Sequence, residues 1–221
     1  MTQEKYDQEQ PNKPQLIYVM DPMCSWCYGF APVMQRVAEE YKNQVELKLV
    51  MGGLRPGTTT VLDEQSKETL RQHWQEVEQI TDQPFSYRLL EQDDFIYDSE
   101  LACRAVVTMR YIKPEVEFAF AEAIQKAFYA HSQDVTKIEV LANIALGFEV
   151  ELEVFIASFM SEEAKEKTAQ DFMIAHQLQA NAFPSLYLLS PKKLYLLNRG
   201  YRMYEAVQMR LKEALESIAQ L

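Results

Sequence analysis

The sequence has few cysteines, few glycines and a shortage of positive charge, and each shortage excludes a class of protein. Only 3 of the 221 residues are cysteine, too few for a disulfide-stapled secreted scaffold. The 6 glycines form no Gly-rich phosphate loop, so no nucleotide or flavin is implied. The 22 basic and 33 acidic residues give a net charge of −11, which argues against nucleic acid and anionic membranes as partners. Hydrophobic residues at 48% are ordinary for a globular chain, so disorder and fibrous repeats do not fit either.

Long hydrophobic runs are also missing. No apolar stretch approaches the roughly 20 residues that a membrane-spanning helix needs. Residues 1–15 are polar and contain no apolar signal core, so we expect a flexible tail at 1–15 and a cytoplasmic location.

The hydrophobic pattern from residue 16 onward predicts a βαβ unit. Residues 16–20 form a short apolar run typical of a buried strand. Apolar residues spaced by three and four over 30–41 predict a helix, and residues 45–51 predict a second strand. A pair of cysteines lies between the first strand and the helix.

The remainder of the chain changes character twice. Residues 61–166 are dominated by helical periodicity, without a fixed-period repeat. After them we expect a helix at 168–178, strands at 183–189 and 194–197, and an amphipathic helix at 204–221. The predicted order is therefore βαβ, a helical block, and αββα.

The motif Cys24-Ser25-Trp26-Cys27 can be half of a zinc site, a redox dithiol or a coincidence. A structural zinc site needs two further ligands at suitable spacing. The remaining cysteine and the histidines stand singly along the chain: Cys103, His73, His131 and His176. Zinc is therefore disfavoured, and the position of the pair between a strand and a helix disfavours coincidence.

The start of a helix suits a reactive thiol. Free backbone N–H groups and the helix dipole favour a negative charge there, so Cys24 is expected to be the attacking thiolate. Cys27, one turn into the helix, is placed to resolve a mixed disulfide. Ser25 and Trp26 are neutral and would set an intermediate redox potential, and Asp21 would oppose ionisation if it is close.

Three segments together carry a resemblance to a known family. Residues 21–32 read DPMCSWCYGFAP, residues 52–57 read GGLRPG and residues 183–186 read FPSL. The first resembles the active-site segment of DsbA-like proteins, and the other two narrow the similarity to their FrnE-like subgroup, usually described as predicted protein-disulfide isomerases. The similarity runs from about residue 16 to residue 221.

This resemblance implies an α/β thioredoxin fold with a large α-helical insertion between its βαβ and ββα halves. Residues 16–60 and 167–221 would form the thioredoxin-like domain, and residues 61–166 the helical insertion domain. The insertion is far too long for a simple connection. We expect it to cap the dithiol and to shape a substrate groove.

The resemblance also implies a cis peptide bond between Phe183 and Pro184, facing the dithiol. These two residues, with Met23 and Trp26 as an apolar lining, would bind a substrate chain as an added strand. Family members often have glycine in the preceding loop, whereas this chain has Gln179 and Ala182, so a positive φ at either would be strained.

The function implied is that of a thiol–disulfide oxidoreductase or protein-disulfide isomerase, in which Cys24 and Cys27 are catalytic and substrates are protein or small-molecule thiols and disulfides. It needs neither a metal nor another cofactor, with glutathione as a conceivable co-substrate. One alternative is a glutathione-dependent enzyme of the 2-hydroxychromene-2-carboxylate isomerase or kappa glutathione transferase type, which typically has serine where this chain has Cys24. A second alternative is a non-catalytic thioredoxin-fold adaptor. Cys103, mid-helix among apolar residues, is interpreted as a buried small side chain.

Overall fold

The computed structural model describes residues 13–220. The predicted flexible tail lies outside the described residues as far as residue 12, and its last residue, Gln15, already belongs to the first strand. Leu221, the predicted end of the last helix, also lies outside the described residues.

A four-stranded mixed sheet forms the centre of the protein. Its strands are β1 (Gln15–Met20), β2 (Glu46–Met51), β3 (Ser185–Leu189) and β4 (Leu194–Arg199). They lie in the order β2-β1-β3-β4, with β2 parallel to β1, β3 antiparallel to β1 and β4 antiparallel to β3. The helix α1 (Ser25–Tyr41) connects β1 to β2. This arrangement confirms the predicted thioredoxin-like halves.

Six α-helices and two short 3-10 helices lie between β2 and β3 and confirm the predicted helical insertion. The α-helices are α2 (Glu64–Thr81), α3 (Glu100–Ile112), α4 (Glu117–Tyr129), α5 (Ile138–Leu146), α6 (Leu152–Met160) and α7 (Glu162–Gln177). The helix α8 (Tyr204–Ala219) follows the hairpin. The boundary expected between residues 166 and 167 falls inside α7, so one continuous helix links the insertion to the second half of the sheet domain. Among the helices within residues 13–220, none is both long and apolar enough to cross a bilayer.

The central strand β1 is buried on both faces because helices cover both. Leu16, Tyr18 and Met20 belong to the main core, together with α1 and the insertion. Ile17 and Val19 point the other way, into a smaller core that includes Ala175 of α7. This alternation follows from the two-residue period of a strand. As a result, the segment after Met20 begins at the C-terminal end of β1, between the sheet domain and the insertion.

An ion pair fastens α7 and α3 to the end of β2. The guanidinium of Arg110 binds both carboxylate oxygens of Asp171, at 3.0 and 2.8 Å, and also donates to the Leu49 carbonyl at 3.1 Å. The same Asp171 carboxylate accepts the Met51 backbone N–H at 2.9 Å. Bidentate pairs of this kind fix geometry as well as contribute energy. This pair therefore fixes the position of α3 and α7 relative to β2.

Candidate active site around Cys24 and Cys27

The two cysteines of the CxxC motif lie where β1 gives way to α1. Cys24 is the residue that caps the N-terminus of α1, in extended backbone conformation, and Cys27 lies one turn inside the helix. Their exposures differ, since Cys24 is 6% exposed and Cys27 is 0% exposed. Both are free thiols in this structure. Cys24 thus lies at the positive end of the helix dipole, where a thiolate is favoured.

The loop before β3 packs against Cys24. The Phe183–Pro184 peptide bond is cis, and the Cys24 thiol lies 3.8 Å from the Phe183 carbonyl oxygen, to which it donates a weak hydrogen bond. Gly52 makes room for this loop, because a Cβ at Gly52 would lie 2.3 Å from two carbons of the Phe183 ring. Phe183 is half-buried and Pro184 is buried, and the loop presents the Phe183 backbone carbonyl to Cys24.

The buried position of Cys27 disfavours its ionisation. Burial raises the pKa of Cys27 well above its ordinary value, and the hydrogen bond with Cys24 and the charge of Cys24 raise it further. Cys27 is therefore expected to stay neutral in the reduced pair. The two thiols therefore differ in burial and in their position on the helix.

A buried carboxylate organises the loop that carries the motif. Asp21 is 0% exposed, and one of its oxygens accepts the Met23 N–H at 2.8 Å. The other accepts the Leu54 N–H at 2.6 Å, the Ser99 hydroxyl at 2.8 Å and the Cys103 thiol at 3.3 Å. Asp21 therefore ties together the CxxC loop, the loop after β2 and the start of α3. Burial raises the pKa of Asp21, and these hydrogen bonds counteract part of that rise.

Two tyrosines of the insertion bind the peptide that precedes Cys24. The hydroxyls of Tyr97 and Tyr129 lie 2.5 and 2.6 Å from the Met23 carbonyl oxygen and 3.0 Å from each other. Tyr97 precedes α3 and Tyr129 is the last residue of α4. The insertion thus contacts the backbone next to the CxxC motif directly.

A comparison with known families agrees with this geometry. A family model described as thioredoxin (Thioredoxin_5) matches residues 17–205. The chain belongs to this DsbA-like thioredoxin family. The match spans both halves of the sheet domain and the whole insertion.

Solved structures of other family members have the same fold. A candidate protein disulfide isomerase from Nitrosomonas europaea is 38% identical, covers 93% of this chain and 99% of its own, and superposes with a TM-score of 0.88. The cytosolic disulfide reductase DsbM from Pseudomonas aeruginosa, in a structure with GSH, is 25% identical with a TM-score of 0.72, covering 94% of this chain and 100% of its own.

Curated relatives are more distant. The ClpXP adapter protein SpxH of Bacillus subtilis is 22% identical over 178 residues, which is 80% of this chain and 58% of the relative. SpxH of Shouchella clausii is 20% identical over 174 residues, which is 78% of this chain and 57% of the relative. The chain therefore spans less than two thirds of the length of these relatives.

The other residues expected at the site differ in how far they are buried. Met23 was expected to line a substrate cleft, and this is corrected: its side chain is 0% exposed and packs in the main core. Its backbone is held on both sides, the N–H by Asp21 and the carbonyl by the two tyrosines, and its side chain fills part of the core that the sheet domain shares with the insertion. Trp26 is half-buried and lies 5.5 Å from the Tyr201 ring, and Ser25 is half-buried beside it.

Within residues 13–220, no three His, Cys, Asp or Glu side chains come together in a way that would hold a metal ion. Cys103 is 0% exposed. It is more than a small apolar side chain, however, because its thiol donates to Asp21.

Sequence reasoning missed the tyrosine pair and the full role of Asp21. Asp21 was noted only as a charge that could oppose Cys24, whereas its main partners lie 33, 78 and 82 residues away along the chain. Tyr97 and Tyr129 converge from two separate segments of the insertion, a pairing that no local pattern predicts. The signal that was available is the Asp21-Pro22 pair, which is separated from Cys24 by one residue, because an aspartate at a turn commonly accepts a hydrogen bond from a nearby backbone N–H.

In the loop before Pro184, where family members often have glycine, one non-glycine residue has a positive φ. Gln179 adopts a φ of +54°, in the left-handed region that favours glycine. The Gln179 N–H still bonds the His176 carbonyl at 2.9 Å, so the chain leaves α7 through a strained residue. The sequence-based expectation of strain at this position is therefore confirmed for Gln179.

Proposed function

We propose that the protein is a thiol–disulfide oxidoreductase that uses Cys24 and Cys27 through a mixed-disulfide intermediate. The observation that carries the proposal is the geometry of the pair, with Cys24 at the N-terminus of α1, Cys27 buried one turn deeper, and the Phe183 carbonyl 3.8 Å from the Cys24 thiol. A helix N-terminus stabilises a thiolate, and a buried neutral thiol next to it is placed for the second step.

The proposed reaction in the reducing direction has two exchanges. The Cys24 thiolate attacks one sulfur of a substrate disulfide, forms the Cys24–substrate disulfide and expels the first substrate thiolate, which takes up a proton. Cys27 then loses its proton and attacks the Cys24 sulfur, which closes the Cys24–Cys27 disulfide and expels the second thiolate. The substrate disulfide gains two electrons and the dithiol loses two, so a thiol reductant must regenerate the enzyme.

The environment of Cys27 changes between the two steps. In the free dithiol the charge of Cys24 contributes to the raised pKa of Cys27. In the mixed disulfide Cys24 carries no charge, so that contribution disappears and deprotonation of Cys27 becomes easier. Burial of Cys27 remains, which keeps its thiol from reacting with outside disulfides.

Substrate would bind beside the cis peptide bond. The Phe183 and Pro184 backbone, with the half-buried rings of Phe183 and Trp26, offers an extended segment that a peptide can pair with. Protein or small-molecule disulfides both fit this description.

Glutathione is the co-substrate that we propose for regeneration. Support comes from DsbM, a cytosolic disulfide reductase with this fold whose structure includes GSH. In a cytosolic glutathione pool the equilibrium favours the reduced dithiol, so the protein would act as a reductase or isomerase.

The test is turnover of insulin disulfides with dithiothreitol as reductant. We expect wild-type protein to accelerate insulin precipitation and Cys24→Ser to abolish the acceleration. Cys103→Ser serves as the control, since its thiol is buried against Asp21 and has no step in the proposed reaction. Activity that depends on glutathione and survives Cys27→Ser would instead support the glutathione isomerase or transferase alternative.

A second candidate is an adaptor function, which the similarity to SpxH favours. An adaptor would bind its protein partner with both cysteines replaced by serine, and it would leave insulin unreduced. Because the chain spans only 57–58% of those relatives, the oxidoreductase proposal has the stronger structural basis.

A further inference from the structure

The contact between the insertion and the redox motif is concentrated on one backbone atom. The Met23 carbonyl oxygen, in the residue before Cys24, lies 2.5 Å from the Tyr97 hydroxyl and 2.6 Å from the Tyr129 hydroxyl. Tyr97 is 2% exposed and Tyr129 is 0% exposed, so neither hydroxyl can turn to solvent. Buried hydroxyls are normally hydrogen-bonded, and both of these bond at the redox loop.

Counting protons shows how the two hydroxyls share this acceptor. Each tyrosine has one hydroxyl proton, yet there are three short oxygen–oxygen contacts, the third being the 3.0 Å contact between Tyr97 and Tyr129. Either both hydroxyls donate to the Met23 carbonyl, or one donates to it and accepts from the other. In both cases, when one hydroxyl is lost, the second can still donate a hydrogen bond to the Met23 carbonyl.

The rings that carry these hydroxyls are held rigidly. Tyr129 stacks on Tyr28 with ring centroids 5.1 Å apart, and Tyr97 stacks on Phe128 at 5.6 Å. The guanidinium of Arg55 lies over the Tyr97 ring, 5.1 Å from the ring centroid. Aromatic packing of this kind fixes the ring positions, so the two hydroxyls have fixed positions from which they bind the Met23 carbonyl.

Electrostatics agree with the proximity of the pair to the reactive sulfur. Burial is the largest cause of the raised pKa of Tyr129, and the charges of Cys24 and Asp21 also contribute. Burial likewise raises the pKa of Tyr97, again with contributions from Cys24 and Asp21, opposed by Arg55. Both hydroxyls therefore stay protonated and remain donors when Cys24 is a thiolate.

We propose that Tyr97 and Tyr129 are a positioning pair for the dithiol, through which the helical insertion holds Cys24 at the start of α1 and sets the redox equilibrium of Cys24 with Cys27. The inference rests on the proposed function for the identity of the reactive thiols. With the pair removed, the buried Met23 carbonyl lacks both side-chain donors, while the Cys24 N–H keeps its bond to the Asp21 carbonyl at 3.0 Å. The position of the Cys24 sulfur relative to the helix N-terminus is then less tightly fixed. The thiolate then loses stabilisation, the reduced form is disfavoured, and the disulfide form gains.

The experiment measures the redox equilibrium against glutathione buffers for five proteins: wild type, Tyr97→Phe, Tyr129→Phe, the double variant and Tyr187→Phe. The control removes a hydroxyl of matched burial, since Tyr187 is 3% exposed and donates to the Leu178 carbonyl at 2.9 Å. Alkylation followed by peptide mass spectrometry reads out the Cys24–Cys27 state separately from Cys103. The rate of iodoacetamide labelling of Cys24 near neutral pH provides a second readout.

We expect the double variant to shift the equilibrium roughly tenfold toward the disulfide and to slow labelling of Cys24 by a similar factor, because the buried carbonyl then lacks both donors. Each single variant should shift the equilibrium by only about two- to threefold, since the remaining hydroxyl still serves the carbonyl. Tyr187→Phe should match the wild type.

A double variant that melts cooperatively yet stays within about twofold of wild type in both readouts overturns the proposal. If the double variant does not fold, the single variants decide, and two singles indistinguishable from wild type overturn it equally. Failure of the proposed oxidoreductase function would appear differently, as wild-type protein that does not reduce insulin while its redox equilibrium remains measurable.

Discussion

Replacing Asp21 by asparagine tests whether one buried carboxylate organises the site. In the native protein one carboxylate oxygen accepts from the Met23 N–H and the other from Leu54, Ser99 and Cys103. Asparagine has almost the same shape, but one acceptor oxygen becomes an NH₂ donor. Its best orientation keeps the oxygen toward the three donors, which leaves the NH₂ group facing the Met23 N–H.

The magnitude follows from those contacts. Two buried donors that face each other cost about 1–3 kcal/mol, and the three retained hydrogen bonds lose their charge assistance, roughly half their strength. Burial raises the pKa of Asp21, which means that its buried charge is unfavourable, so removing the charge offsets part of this loss of stability. We expect a net loss of roughly 2–3 kcal/mol of unfolding free energy, or about 5–10 °C in Tm for a chain of this size.

The assay is reversible denaturation of the reduced protein, with Asp63→Asn as the matched control. Asp63 is exposed and caps α2 by accepting the Ser66 N–H at 2.8 Å, a task that asparagine performs equally well. Because the folded-state pKa of Asp21 is raised, its contribution to stability is lost as pH rises through that pKa, so the gap between wild type and Asp21→Asn should widen as pH falls from neutral toward the ordinary aspartate pKa of about 4. A change of less than about 0.5 kcal/mol at Asp21, equal to that at Asp63, would refute the reasoning.

Three further predictions concern the surrounding structure. Gly52→Ala should lower the rate of disulfide exchange several-fold, because its Cβ would lie 2.3 Å from the Phe183 ring and displace the loop next to the dithiol. Gln179→Gly should stabilise the protein by about 0.5–1 kcal/mol, because glycine adopts the φ of +54° without strain, and this is measured by denaturation. The reduced protein should lose stability as pH rises above about 8.5, because burial raises the pKa of Cys27 and Cys103, and Cys103→Ala should reduce that loss.

Each of these has a control or a contradicting outcome. Gly147→Ala, where the Cβ would meet the Ile144 carbonyl at 3.2 Å at the end of α5, should leave exchange unchanged. Gln177→Gly, in the last residue of α7, should not stabilise the protein, and equal gains at both glutamines would argue against strain at Gln179. An alkaline stability profile that is flat between pH 8 and 10 would contradict the burial of the thiols.

The architecture could be predicted from sequence because its signals are local. The apolar run of β1, the three-and-four spacing of α1 and the hairpin strands each follow from a periodicity within one segment. The end of the insertion was harder to predict, because α7 continues through residues 166 and 167 and helical periodicity gives no sign of a boundary inside a helix.

The interior of the site could be predicted only in part. The positions of Cys24 at the start of α1 and of Cys27 one turn inside it could be predicted, because the periodicity of the helix begins directly after the motif. The burial of Met23 could not be predicted, because the core around it includes residues of the insertion, and the tyrosines that bind its carbonyl, Tyr97 and Tyr129, are 74 and 106 residues distant in the chain. Contacts of that range depend on how the insertion packs, which no local pattern specifies.

The most direct test of the central claim is intact-mass spectrometry of the cysteine variants after reaction with a peptide disulfide. The account predicts that Cys27→Ser accumulates one covalent peptide adduct at Cys24, that Cys24→Ser forms none, and that wild-type protein releases the peptide and gains an internal disulfide. No adduct on Cys27→Ser, or an adduct that maps to Cys103, would contradict the assignment of Cys24 as the attacking thiol and Cys27 as the resolving thiol.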